Sequence, residues 1–168
     1  MADVTDTFYE GQAEIGIGAQ FKIGLGDSPE TFVAVADMKS AKPGKLDGQI
    51  HDKSHTRSPK RTREKKVGMI DQAAWIFVMN WRADHGSQNN AGGDGFDEYD
   101  EEADTGGGLL AMFLRGDELN MQITRVGKDA IPFRGSVSGY EIGEISIDNL
   151  TTLTVEVTPL AAFAHLIG

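Results

Sequence analysis

The chain contains no cysteine. That excludes a disulfide framework, a thiolate metal site and a cysteine nucleophile. Histidine is scarce, with four in 168 residues, so little is available for nitrogen ligation or general-base chemistry. No apolar run approaches the ~18 residues that a membrane helix requires, and no membrane association is expected. The opening MADVTDTFYEGQ is acidic and has no apolar stretch of the kind that a secretory leader carries.

Several motifs are also incomplete. Gly24-Leu25-Gly26 is followed by Asp27, Ser28 and Pro29, so the third glycine of a dinucleotide fingerprint is missing. No Gly-Lys-Ser/Thr opens a helix, and the alternating strand–helix pattern of a nucleotide-binding domain is absent. GSVSG (Gly135–Gly139) is out of register with a nucleophile elbow, because Ser136 stands where a glycine is needed before Ser138. His51 and His55 are four apart, but HDKSH lacks the glutamate that follows the first histidine in a helical zinc motif. A calcium loop starting at Asp100 meets Thr105 at its glycine position and Ala111 at its bidentate-glutamate position. No cofactor, metal or enzyme activity is expected.

What is present is a strong separation of charge. The net charge is −10, yet ten of the sixteen basic residues lie between Lys39 and Lys66. They are Lys39, Lys42, Lys45, Lys53, Arg57, Lys60, Arg61, Arg63, Lys65 and Lys66. A second cluster places seven acids within eleven residues, Asp94, Asp97, Glu98, Asp100, Glu101, Glu102 and Asp104. Such blocks mark solvated loops or interaction surfaces. The basic run has no aromatic side chain for stacking on bases, which favours a subunit interface over nucleic acid, with a plain solvated face also open.

The elements read as mainly β, and the length suits one domain. Phe21, Ile23 and Leu25 alternate with Lys22 and Gly24, predicting a strand with one buried face. GDSP (Gly26–Pro29) is turn chemistry, and TFVAVADM (Thr31–Met38) reads as the return strand. Residues 39–68 read as a long polar excursion, a length that implies function or disorder. Met69–Trp81 is the most apolar stretch and reads as a central strand, with a short buried helix as the alternative that periodicity does not separate from it. Residues 82–108, rich in Gly, Asn and Asp, read as a flexible acidic loop outside the core. Leu109–Gly116 reads as a short helix with a glycine stop. Strands follow over Leu119–Ile123 and Phe133–Val137. Tyr140 and Ile142 then take one parity, while Ile145, Ile147, Leu153, Val155 and Val157 take the other, so a bulge or tight turn is expected at Gly143.

These residues also carry a family resemblance. GAQFKIG, SPETF and the strand leading to DMKS resemble the opening of the tail tube (major tail) proteins of long-tailed, siphovirus-type bacteriophages. LDGQIHDKSHT, GMID before AAWIFVMNW, and the closing FRGSVSGYEIGEISIDNLTTLTVEVTP are similar to later parts of that family. The likeness spans most of residues 15–160. The basic run Arg57–Lys66 and the acidic insertion Asp94–Asp104 depart from the pattern.

The resemblance implies an antiparallel β-sandwich, able to form a barrel, with one short flanking helix. Six copies would form a ring whose inner sheets join into one barrel, and rings would stack into a virion tail tube that conducts DNA to the host. Assembly would take place in the host cytoplasm. The partners would be further copies, a tape measure protein, a tail terminator and distal tail or baseplate proteins. DNA would pass without specific binding. The expected organisation is a single domain over 1–168, with arms at 1–18 and 159–168 and an inter-ring segment at 39–68. Candidate interface residues are Lys42, Lys45, His51, His55, Arg57, Lys60, Arg61, Arg63, Lys65 and Lys66. Asp97, Glu98, Asp100, Glu101 and Glu102 are a candidate seam that pairs with them. Other readings are a secretion-system tube subunit or head–tail connector, a nucleic-acid module using 39–66, and an unrecognised enzyme.

Overall fold

The computed structural model describes residues 18–26, 29–55 and 63–160. The β1 strand (Gln20–Leu25) and the β2 strand (Thr31–Ala34) form the expected hairpin, with Leu25 opposite Thr31. Asp27 and Ser28 of its turn lie outside the described residues. Then β3 (Met38–Lys42), β4 (Leu46–Asp52), β5 (Lys65–Gln72) and β6 (Trp75–Asn80) follow. A seven-residue helix, α1 (Leu109–Arg115), precedes β7 (Glu118–Arg125), β8 (Lys128–Ile142) and β9 (Thr152–Pro159).

Seven strands make one antiparallel sheet in the order β2-β1-β7-β8-β9-β6-β3. Its two edge strands are consecutive in the chain, separated only by Val35–Asp37. The Val35 N–H donates to the Phe21 carbonyl, and the Asp37 carbonyl accepts from the Asn80 N–H, each at 2.9 Å. One bent segment therefore bonds to β1 at one end and to β6 at the other, so the sheet must curl until its edges meet. Thr31–Met38 is thus not one strand: it ends at Ala34, and Met38 already belongs to the opposite edge.

The curl places the inward faces against each other. Phe21 of β1 stacks on Phe77 of β6 with ring centroids 4.1 Å apart and planes 9° from parallel. Phe133 stacks on Trp75 at 5.0 Å. Around them pack Ile23, Met79, Met121, Leu153, Val155 and Val157, all fully buried. Burial of each large apolar side chain contributes about 1.5–3 kcal/mol. The helix closes the core with Leu109 and Met112. It stops at Gly116, whose φ of 71° only glycine adopts freely and whose N–H caps the Met112 and Phe113 carbonyls.

Met69–Trp81 is two strands rather than one. Met69 and Ile70 lie on β5 and are exposed, whereas Trp75, Phe77 and Met79 on β6 are buried. Hydrophobicity was continuous across the boundary, but the strand leaves the core at Ala73–Ala74. The parity break sits at Val137–Gly139, where β8 shifts register against β9, and not at Gly143. The Gly143 N–H bonds to Thr152 and closes a loop. Ile145 and Ile147 lie in that loop without a partner strand, and both are exposed.

The acidic segment also differs from expectation. Phe96 is 4% exposed and belongs to the core, and the surrounding chain is a series of hydrogen-bonded turns. Asp94 and Asp104 both have positive φ, as tight turns require. Gly, Asn and Asp mark such turns as readily as they mark flexibility.

Replacing Phe77 with alanine should cost about 3–5 kcal/mol. Denaturant unfolding of the two proteins checks this; a loss below 1 kcal/mol would mean that the stacked rings are not the centre of the core.

Candidate assembly surface

The predicted excursion is a continuation of the core sheet. Lys42 faces Ile76 in the main sheet, and four residues further along each strand Leu46 faces Gln72. The register is continuous, with the Ala73 N–H bonding to the Lys45 carbonyl at the joint. Pro43 cannot donate to the ladder, which accounts for the local break. Gly44 is buried there, and a Cβ on it would collide with the Ala73 carbonyl. The buried Gln72 side chain donates to the Gly44 carbonyl at 3.4 Å. Lys39–Lys42, read as excursion, is therefore core-sheet edge.

Beyond the joint, β4 and β5 form a two-stranded ribbon. At ~3.3 Å per residue, its seven-residue strand β4 spans about 23 Å. Ile50 pairs with Val67 and Gly48 with Ile70, so these residues share one face. Val67 lies over Gly48. Ile50, Val67, Met69 and Ile70 are all more than half exposed. His51 pairs with Lys66 on the other face, with its ring over Gly68. Near the tip, Lys53 pairs with Glu64 at 3.8 Å, and the Glu64 N–H donates to the Ser54 hydroxyl. Hydrogen bonds from Ser54, with Lys65 nearby, hold the Asp52 carboxyl below its ordinary range.

The candidate interface residues thus divide. Lys42 projects from the core-sheet edge and Lys45 sits at the joint, paired with Asp47 at 2.7 Å. His51, His55, Arg63, Lys65 and Lys66 lie on the ribbon or at its tip. Arg57, Lys60 and Arg61 lie outside the described residues. The acids Asp97, Glu98, Asp100, Glu101 and Glu102 are all exposed. Among the described residues, the ribbon's ion pairs are local and none reaches these acids. Among the described residues, one chain does not bring the two clusters together.

The acidic loop packs beside α1. A groove of about 220 Å³ opens between them, lined by Tyr99, Leu110, Ala111, Leu114 and Arg115. The Tyr99 hydroxyl bonds to Asp104 at 3.1 Å, which raises the tyrosine pKa. Arg115 is held by Asp117 at 2.8 Å and donates to the Gly106 carbonyl. Leu114 is 74% exposed.

One cluster is not apparent from the sequence, because it bonds to Ala36, 51 positions away in the chain. The His85 Nδ1 lies 2.8 Å from the Ser87 hydroxyl, and the His85 Nε2 is 4.0 Å from Asp94. The three residue types match a hydrolase triad, but Ser87 is fully buried and accepts the Ala36 N–H at 3.1 Å. Its backbone N–H also donates to the His85 Nδ1 at 3.2 Å, so the ring proton belongs on Nε2. The cluster locks the loop to the bent segment between β2 and β3. Among the described residues, no three histidine or acidic side chains converge to hold a metal ion. No helix there is long and apolar enough to cross a membrane.

No protein-family profile matches the chain, and no curated protein does. Solved structures do match. A chain from the tail of an empty gene transfer agent particle, refined with C6 symmetry, superposes with a TM-score of 0.59 at 14% identity. The match covers 89% of this chain and 96% of that one. The SPP1 tail tube gives a TM-score of 0.56 at 7% identity, covering 89% and 77% of the two chains. A chain of the anti-feeding prophage baseplate gives 0.53 at 8%, covering 89% and 94%. The chain shares the fold of these tail and baseplate proteins.

Ser87→Ala would leave the buried Ala36 N–H without its acceptor, at an expected cost of about 1–3 kcal/mol. Thermal unfolding checks it, and an unchanged melting temperature would remove the cluster's locking role.

Proposed function

We propose that the chain is a structural, non-enzymatic subunit of a bacteriophage tail tube. Six copies form a ring, rings stack, and the bore conducts DNA from capsid to host. The observation that supports this reading is agreement in fold, over 89% of this chain and 96% of the other, with a chain from a tail refined with C6 symmetry. The two edges that β2 and β3 turn away from their partners are open among the described residues. Pairing with neighbouring copies would satisfy such edges and build a shared barrel.

The ribbon supplies the ring-to-ring contact, and the acidic loop is a seam for its cations. The further partners are a tape measure protein, a tail terminator and distal tail or baseplate proteins. The protein's place is the virion tail, after assembly in the host cytoplasm. Electron microscopy of the purified protein, nucleated by a tail-tip complex if it stays monomeric, tests the reading. Stacked six-fold rings are expected. With 47–71 replaced by a short glycine-serine turn, a folded monomer that does not polymerise is expected. Absence of rings from the intact chain under both conditions would overturn the proposal.

The bore should hold DNA weakly. Fixed cations on a wall bind phosphates and release counterions, whereas this chain carries −10 overall and its basic run is assigned to interfaces. Assembled tubes are expected not to retain duplex DNA at physiological salt. Tight retention that falls steeply with added salt would place the basic run on the wall instead.

A further inference from the structure

The ribbon and the groove beside α1 are two incomplete surfaces of matching character. The ribbon presents Ile50, Val67 and Ile70 on one face, and a two-stranded ribbon alone in water is marginal. Among the described residues its far end carries Lys53, Arg63, Lys65 and Lys66 against Asp52 and Glu64. The groove presents Leu110, Leu114 and the Tyr99 ring. Asp104 lines it, and the adjoining loop back to Asp97 holds five more acids and no cation. The nearby Arg115 is already neutralised by Asp117. On each surface an exposed apolar centre adjoins a block of charge, and the blocks are of opposite sign.

We infer that the Ile50–Val67 face of one copy docks in the Leu110–Leu114 groove of a second copy, with Lys53, Arg63 and Lys65 toward the acidic loop that holds Asp104. The inference rests on the assembly reading above and names the receptor for the ribbon. Ribbon and groove are different patches, so the contact is heterologous. It propagates from copy to copy and does not close as a two-fold dimer. The apolar centre gives affinity that survives salt, while the charged rim sets orientation and is screened over ~8 Å at physiological ionic strength.

The absence of cysteine makes the contact testable by crosslinking. In assemblies of Val67→Cys/Leu114→Cys, mild oxidation should produce a ladder of covalent multimers. Val67→Cys/Val126→Cys is the control, because Val126 is exposed beyond the far end of β7, and it should give none. Ile70→Cys/Leu110→Cys provides a second pair should the first impair assembly. In parallel, replacing Asp97, Glu98, Asp100, Glu101 and Glu102 with Ser and Asn should leave the monomer folded and make assembly weaker and less salt-sensitive. Rings without a ladder in either pair, or with an equal ladder in the control, would overturn the docking while leaving the tube standing. A disulfide confined to single chains would also overturn it, by showing the ribbon folded onto its own helix. Failure of the unmodified chain to form rings would overturn both.

Discussion

A two-stranded ribbon cannot cover its own faces, and the rest of the molecule is arranged around one that projects from the core. It leaves the curled sheet in unbroken register, so its direction is set by the same ladder that holds Phe77 against Phe21. The joint at Gly44 and Gln72 interrupts pairing for a few residues but retains hydrogen bonds across it. A core with stacked rings can hold such an arm at a defined angle. Exposed apolar residues on the arm are destabilising in isolation and stabilising once a neighbour covers them. In the proposed assembly, part of the stability would come from contacts that only a neighbouring copy can make.

The charge pattern acts with that constraint. In the proposed assembly, acidic and basic blocks on separate elements would repel where like surfaces meet and attract where unlike surfaces meet. Polar rims of this kind set register and association rate more than affinity. The local pairs Lys45–Asp47 and Lys53–Glu64 lie at the solvent surface, where screening leaves an ion pair little net stabilisation. The buried His85–Ser87 contact is of a different kind: it ties the acidic loop to the segment where the sheet closes.

Much of the fold was legible in the residues. The alternation at Phe21–Leu25, Leu119–Ile123 and Leu153–Val157 marked inward faces correctly, and Gly116 marked the end of the helix. What could not be read depended on partners distant in sequence. Met69 and Ile70 look like core by composition and are exposed because, among the described residues, β5 pairs with β4 alone. Ile145 and Ile147 alternate like a strand but have no strand to pair with. Phe96 sits in a glycine- and aspartate-rich stretch that hides a core contact. Of the candidate surface, the residue types were visible in the sequence. The ribbon that unites Ile50 with Val67, and the groove between Tyr99 and Leu114, exist only in three dimensions.

The central claim is that a neighbouring copy completes the ribbon. Hydrogen exchange of the free subunit and of the assembled protein measures this directly at the amides of residues 46–52 and 65–72. The account predicts fast exchange at these positions in the free subunit, strong protection after assembly, and little change at β1, β6 and β9. Equal protection of the ribbon in both states would contradict it.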